Sequence, residues 1–233
     1  TAAQRGHKVT LFEASNRIGG QFNIAAKIPG KEEFVETIRY FKTQLQLNQV
    51  NVRLSHRVTA DQLVKENFDE IVIATGITPR TPAIEGIDHP KVLSYLDVLR
   101  DDQPVGGKVA VIGAGGIGFD TAHYITHQGQ SGSMNIDVFA REWGIDFKNH
   151  PRGGVAGLEP QVSPSPRDVY LLPRKESPVG KNLGRTTGWT HKLYLERKGV
   201  KMWNACEYQK IDDQGLHLRH YNESIILDVD TII

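Results

Sequence analysis

Ten consecutive residues constrain this chain more than any others: Val109-Ala110-Val111-Ile112-Gly113-Ala114-Gly115-Gly116-Ile117-Gly118. Gly113, Gly115 and Gly118 make a GxGxxG spacing, which alone is weak evidence. Here an apolar β-type run leads into it from Lys108, and a helical pattern from Phe119 to His127 leads out, which is the context the spacing requires. Each glycine has a separate task. Gly113 permits the tight turn, Gly115 lets a pyrophosphate approach the backbone, and Gly118 lets the helix pack closely on the strand. The amides of the first helical turn, through Gly116 and Ile117, face the phosphates with the positive end of the helix dipole. The competing reading is a glycine-rich turn without a ligand.

The coenzyme is set at the end of the next strand, where an acid favours the NAD ribose and bases accommodate the 2′-phosphate of NADP. Two runs compete for that position. Ile136–Ala140 lies at the usual distance and is followed by Arg141. Asp168–Leu172 comes later and is followed by Pro173-Arg174-Lys175. The later run is preferred, because residues 128–167, rich in Gly, Ser and Pro, then form a single insertion. Both runs end in a base, so both favour NADPH; an ordinary solvated pair is the alternative for Arg174 and Lys175.

The same design occurs upstream without its glycine loop. Lys8–Phe12 is a short β-type run ending at Glu13, and an acid about 20 residues after a glycine loop is the ribose-binding position of such folds. Counting back from Glu13 puts that loop before Thr1, so both chain ends are expected to be cuts through a larger protein. A plain surface carboxylate is the alternative reading of Glu13. Gly19-Gly20-Gln21 again permits close backbone approach to a cofactor, and Ala74-Thr75-Gly76 ends what reads as a buried strand, Asp69–Ile73. Helices are expected over Glu32–Leu47, Asp61–Glu66, Ser94–Arg100 and Thr190–Lys198. Short strands are expected at Val50–Leu54, Val200–Trp203, Cys206–Ile211, Gly215–Tyr221 and Ser224–Val229, with a hairpin turn at Asp212-Asp213-Gln214-Gly215. Strand–helix–strand order thus repeats across a linker at Pro104-Val105-Gly106-Gly107, which predicts an α/β protein of two interleaved Rossmann-like dinucleotide-binding domains. Residues 1–103 form a partial FAD-binding domain, residues 104–229 an NADPH-binding domain, and residues 230–233 the start of a return into the first.

Composition removes other classes. A net charge of +1 gives no electrostatic case for nucleic acid or an anionic membrane. The single cysteine, Cys206, rules out a disulfide framework, a multi-cysteine metal site and a CxxC redox pair within this chain; it is expected in the core. There is no GxSxG elbow and no HExxH helix. The nine histidines are scattered. A cytoplasmic protein is the expectation, and nothing in the sequence sets an oligomeric state.

Longer blocks carry a resemblance over the whole chain: RGHKVTLFEA, IGGQFNIA, IPGKEEF, IVIATGITPRTP, GIDHPKVLSYLDVLR, VAVIGAGGIGFDTA, EWGID, RKESPVGKNLGRTTGWTH and GVKM. The sequence resembles the bacterial NADPH-dependent 2,4-dienoyl-CoA reductases, relatives of trimethylamine dehydrogenase. That resemblance implies a glutathione-reductase-like FAD and NADPH portion of a larger enzyme. A barrel domain with FMN and the acyl-CoA substrate, and a 4Fe–4S centre, would lie outside this chain. Hydride would pass from NADPH to FAD, and electrons through the cluster to FMN, in the β-oxidation of unsaturated fatty acids. The resemblance implies that Glu13, Gln21, Lys31 and Val58 meet FAD, that Arg174 and Lys175 meet the NADPH phosphate, and that Trp189 lies near the cofactors; Gly20, Thr75 and Gly76 join the cofactor-binding candidates as turns where backbone can approach it. No catalytic acid or metal ligand is expected here. The alternative is a nucleotide-binding module with a structural role in a related amine dehydrogenase or enoate reductase.

Overall fold

The computed structural model describes residues 1–149 and 157–233. Contacts divide the chain into two compact units, residues 1–26 with 33–80, and residues 27–32 with 81–233.

The first unit contains β1 (Thr10–Phe12), α1 (Gln21–Ala25), α2 (Phe34–Leu47), β2 (Asn51–Arg53) and α3 (Ala60–Glu66). β1 and β2 pair in parallel, Leu11 opposite Val52. α3 starts where expected because the Thr59 side chain accepts the Gln62 amide, and it stops at Asn67 in the left-handed conformation. The apolar residues of α2 follow helical spacing, yet none of its residues is buried.

The second unit holds α4 (Tyr95–Leu99), β3 (Lys108–Ile112), α5 (Gly116–Thr126), α6 (Ile136–Trp143), β4 (Asp168–Leu172), α7 (Gly188–Arg197), β5 (Lys201–Met202), β6 (Cys206–Asp212), β7 (Gly215–His220), β8 (Glu223–Leu227) and β9 (Thr231–Ile232). Four strands form a parallel sheet in the order β5-β4-β3-β9, and β6-β7-β8 form an antiparallel one. Alternation along the strands explains the layering. Val109, Val111, Val169 and Leu171 point to a core shared with Phe119, Ala122, Ile125, Tyr194 and Leu195 of α5 and α7. Ala110, Leu172 and Ile232 point the other way, to Cys206, Ile211, Leu216, Leu218 and Leu227 of the antiparallel sheet. A sheet covered on both faces needs continuous apolar strands, which is why β3 and β4 lack polar alternation. Cys206 is a core residue, as expected.

The structure decides between the two competing runs and corrects three expectations. The preferred Asp168–Leu172 is β4, and Ile136–Ala140, the run not preferred, is most of α6. The Asn135 side chain accepts the Asp137 and Val138 amides at its start, and Gly144 closes it at φ 68°. Arg141 therefore sits in the last turn of a helix. α6 lies within the described part of the expected insertion. Residues 230–233 do not leave the second unit: β9 pairs in parallel with β3 there. The largest departure is at Asp69–Ile73, which forms no strand. Val72 is 89% exposed and Ile73 81%. A β-run is stable only with ladder partners, and among the described residues no strand pairs with it.

Residues 81–103, which the sequence grouped with the first domain, make their hydrogen bonds to the second unit. Leu93 N–H donates to Ile232 O at 2.8 Å and Ile211 N–H to Glu85 O at 2.8 Å. A Cβ on Gly86 would come 2.0 Å from Ile211 O, so this segment packs directly on β6.

The layering makes a contrast testable by urea denaturation. Leu171→Ala, fully buried between sheet and helices, should cost about 2–5 kcal/mol. Val72→Ala should stay within about 0.5 kcal/mol, as exposed positions do. A cost for Val72→Ala matching that of Leu171→Ala would show that residues 69–73 are packed after all.

Candidate dinucleotide-binding site

The glycine loop lies at the carboxyl end of β3. Gly113 takes φ 97°, a left-handed value that favours glycine. Its N–H donates to Leu172 O at 3.0 Å, which ties the loop to the end of β4. Gly118 sits where a Cβ would fall 2.3 Å from Gly113 O and 3.6 Å from Leu171 Cδ1. Only a hydrogen fits, so helix and strand close on each other at this point. Gly115 and Gly116 are the opposite case. A Cβ at either would meet nothing within 4 Å, and the space in front of them is open. Gly115 is the N-cap of α5 and has no side-chain cap bond. The first amides of α5, including those of Gly116 and Ile117, have no intrahelical acceptor and carry the positive end of the dipole. The loop therefore has the shape and polarity of a phosphate cradle.

β4 runs beside β3 in register, Ile112 opposite Leu172. Arg174 and Lys175, just beyond β4, are thereby carried to the same sheet edge as the glycine loop. Both are exposed. Among the described residues neither makes an ion pair. They are uncommitted cations beside an anion cradle.

Lys31 is committed. Its ammonium lies 2.6 Å from the Asp120 carboxylate, two residues beyond Gly118 on α5, and both side chains are about three-quarters buried (27% and 21% exposed). Sequence reasoning assigned Lys31 to FAD but did not identify Asp120, whose distance in sequence hid the pairing. His191 on α7 lies near the same pair; burial first, and then the Lys31 charge, lowers its pKa. His123 of α5 packs against His191 and Tyr194, and burial, with the neighbouring His191 and His127, pushes it down to about 3. It is a neutral, half-buried imidazole at physiological pH. Trp189 stands 62% exposed in the first turn of α7, its indole N–H donating to Thr186 O at 3.0 Å.

The remaining sequence candidates lie in the first unit. Glu13 follows β1; its N–H donates to Arg53 O at 3.0 Å and its carbonyl accepts from His56 N–H at 2.9 Å. Glu13 and the segment leading to Val58 thus share one end of the two-stranded sheet. The Glu13 carboxylate accepts the Ser15 amide at 2.8 Å. Gly20 is the N-cap of α1 at φ 45°, and Gln21 is its exposed first residue. Thr75 and Gly76 are exposed and belong to no regular element.

A profile of the pyridine nucleotide-disulphide oxidoreductases matches residues 1–233. The chain belongs to this family. It is accordingly a flavin-dependent NAD(P)H oxidoreductase module of α/β fold, with FAD and NAD(P)H as its cofactors. Cys206, the single cysteine, is buried, which pushes its thiol up to about 11. Among curated proteins the chain is 26% identical over its whole length to a metal reductase of Desulforamulus reducens, covering 34% of that protein. It is 30% identical over 98% of its length to an NADH oxidase of Thermoanaerobacter brockii, covering 36%. Among solved structures, a 2-naphthoyl-CoA reductase in complex with 2-naphthoyl-CoA superposes with a TM-score of 0.78 at 26% identity. The superposition covers 99% of this chain and 29% of that one. The chain spans about a third of the length of these relatives. No helix among the described residues is long and apolar enough to cross a membrane.

The glycines separate by what surrounds them. Gly118→Ala should destabilise the protein by about 1–3 kcal/mol, since backbone cannot yield to the added methyl. Gly116→Ala, facing open space, should leave stability unchanged. Thermal unfolding of the two variants in parallel checks this, and equal losses would contradict the close approach at Gly118.

Proposed function

We propose that the second unit binds NADPH rather than NADH, and that the chain is the FAD- and NADPH-binding portion of a reductase acting on 2,4-dienoyl-CoA thioesters. The observation that carries the coenzyme reading is the position of Arg174 and Lys175. Two exposed cations, unpaired among the described residues, follow β4, the neighbour of the strand that delivers the glycine loop. A 2′-phosphate at that strand end would receive charge-assisted hydrogen bonds. The pyrophosphate would lie on the free amides of α5, with Gly115 and Gly116 leaving room for it. The Lys31–Asp120 ion pair holds the 27–32 segment against α5, which places a residue expected to meet FAD beside the nucleotide-binding helix. When bound, NADPH supplies a hydride and FAD accepts it.

The substrate reading has separate support. The blocks GIDHPKVLSYLDVLR and RKESPVGKNLGRTTGWTH resemble those of dienoyl-CoA reductases, and a protein that superposes well over this chain is a reductase of another CoA thioester. FMN, a 4Fe–4S centre and the acyl-CoA site would belong to the remainder of a larger protein; the matched relatives are about three times the length of this chain.

The double variant Arg174→Ala, Lys175→Ala tests the coenzyme reading in the full-length protein. A charge-assisted hydrogen bond contributes about 1.5–3 kcal/mol, and tenfold in affinity is about 1.4 kcal/mol. NADPH affinity should fall roughly ten- to a hundredfold at fixed ionic strength, while NADH affinity changes little. Equal losses for the two coenzymes would make the pair structural. Arg141 offers no substitute, because it lies on α6.

A further inference from the structure

The basic loop after β4 is held from one side by a single short segment, residues 204–208. The Leu172 carbonyl accepts two hydrogen bonds, one from Gly113 N–H at 3.0 Å and one from the Tyr208 hydroxyl. The glycine loop and the basic loop therefore meet at one carbonyl, and Tyr208 of β6 is the side chain that fastens it. The next carbonyls are taken in turn. Cys206 N–H donates to Pro173 O at 3.1 Å, Ala205 N–H to Lys175 O at 3.0 Å, and Asn204 Nδ2 to Glu176 O at 2.6 Å. Ala205 adopts φ 53°, a left-handed value uncommon for a residue with a Cβ. Asn204 is itself held by the Tyr221 hydroxyl, which donates to its Oδ1 at 3.1 Å.

We propose that Tyr208 and Asn204 are positioning residues for coenzyme selectivity. They fix the backbone of residues 172–176 relative to the glycine loop, so that Arg174 and Lys175 present their charges at the distance of a 2′-phosphate from the pyrophosphate. The proposal rests on the assignment of Arg174 and Lys175 to that phosphate. The arrangement has a physical rationale. Two exposed cations on a free loop would sample many positions, and ordering such side chains opposes binding. Carbonyls at 172, 173, 175 and 176 that are already bonded remove the backbone share of that cost. The role assigned to both residues is to fix the loop backbone, so their effect is expected as a change in discrimination rather than a uniform loss.

The experiment compares dissociation constants for NADPH and NADH in the full-length protein and in Tyr208→Phe, Asn204→Ala and Arg174→Ala/Lys175→Ala variants. Loss of one neutral hydrogen bond corresponds to about two- to tenfold in binding. Tyr208→Phe and Asn204→Ala should each lower the NADPH-to-NADH affinity ratio at least about threefold, with flavin content unchanged. A merely structural role would lower the melting temperature and leave the ratio intact. Asn204 is only half-buried, so Asn204→Ala decides the matter if Tyr208→Phe does not fold. An unchanged ratio in both single variants, with a lowered ratio in the double variant, would overturn the positioning role and leave the phosphate assignment standing. An unchanged ratio in the double variant would overturn both.

Discussion

The hydrogen bond from Gly113 N–H to the Leu172 carbonyl is the constraint on which the second unit's site depends. It joins the turn after β3 to the end of β4. The turn it anchors is closed by the contact of Gly118 with Gly113 O, too close for any side chain. Given that closure, α5 begins directly above the strand, and its unbonded amides are presented at the sheet edge. Given the junction with β4, the residues that follow Leu172 emerge at the same edge. Phosphate cradle and cationic loop are thus consequences of one backbone arrangement.

The rest of the unit supports that arrangement from two sides. α5 and α7 cover one face of the parallel sheet, and the antiparallel sheet covers the other. The second covering is easy to read as packing alone. Its first strand does more, since β6 carries Tyr208, whose hydroxyl reaches Leu172 O. Covering the sheet and bracing the loop are then performed by the same strand. The Lys31–Asp120 pair is a comparable link on the helical side, joining the 27–32 segment to α5.

Much of this was legible in the sequence, and the exceptions have physical causes. The β3–glycine–α5 unit was legible because each glycine is required by a local backbone demand that no distant residue can relieve. α3 and α4 were legible as short helices, and the structure shows Thr59 and Ser94 capping them. Ile136–Ala140 competed as a strand because it lies at the usual distance after the glycine loop, yet the Asn135 cap and Gly144 stop that define α6 were present in the sequence. Asp69–Ile73 did mislead. Strand propensity describes fitness for a ladder, and no partner strand is present among the described residues. The placement of β9 depends on pairing across more than a hundred residues, which no local pattern encodes. Asp120 and Tyr208 were missed likewise. Each acts through a contact with a segment far away in sequence, and neither stands out by type or spacing.

The central claim is that one sheet edge, built from the turn after β3 and the loop after β4, receives the coenzyme. Hydrogen–deuterium exchange of the protein with and without saturating NADPH tests it most directly. The account predicts slowed exchange at the amides of residues 115–118 and of residues 173–176, with α6 unaffected. Unchanged exchange in both segments, with protection confined to other regions, would contradict it.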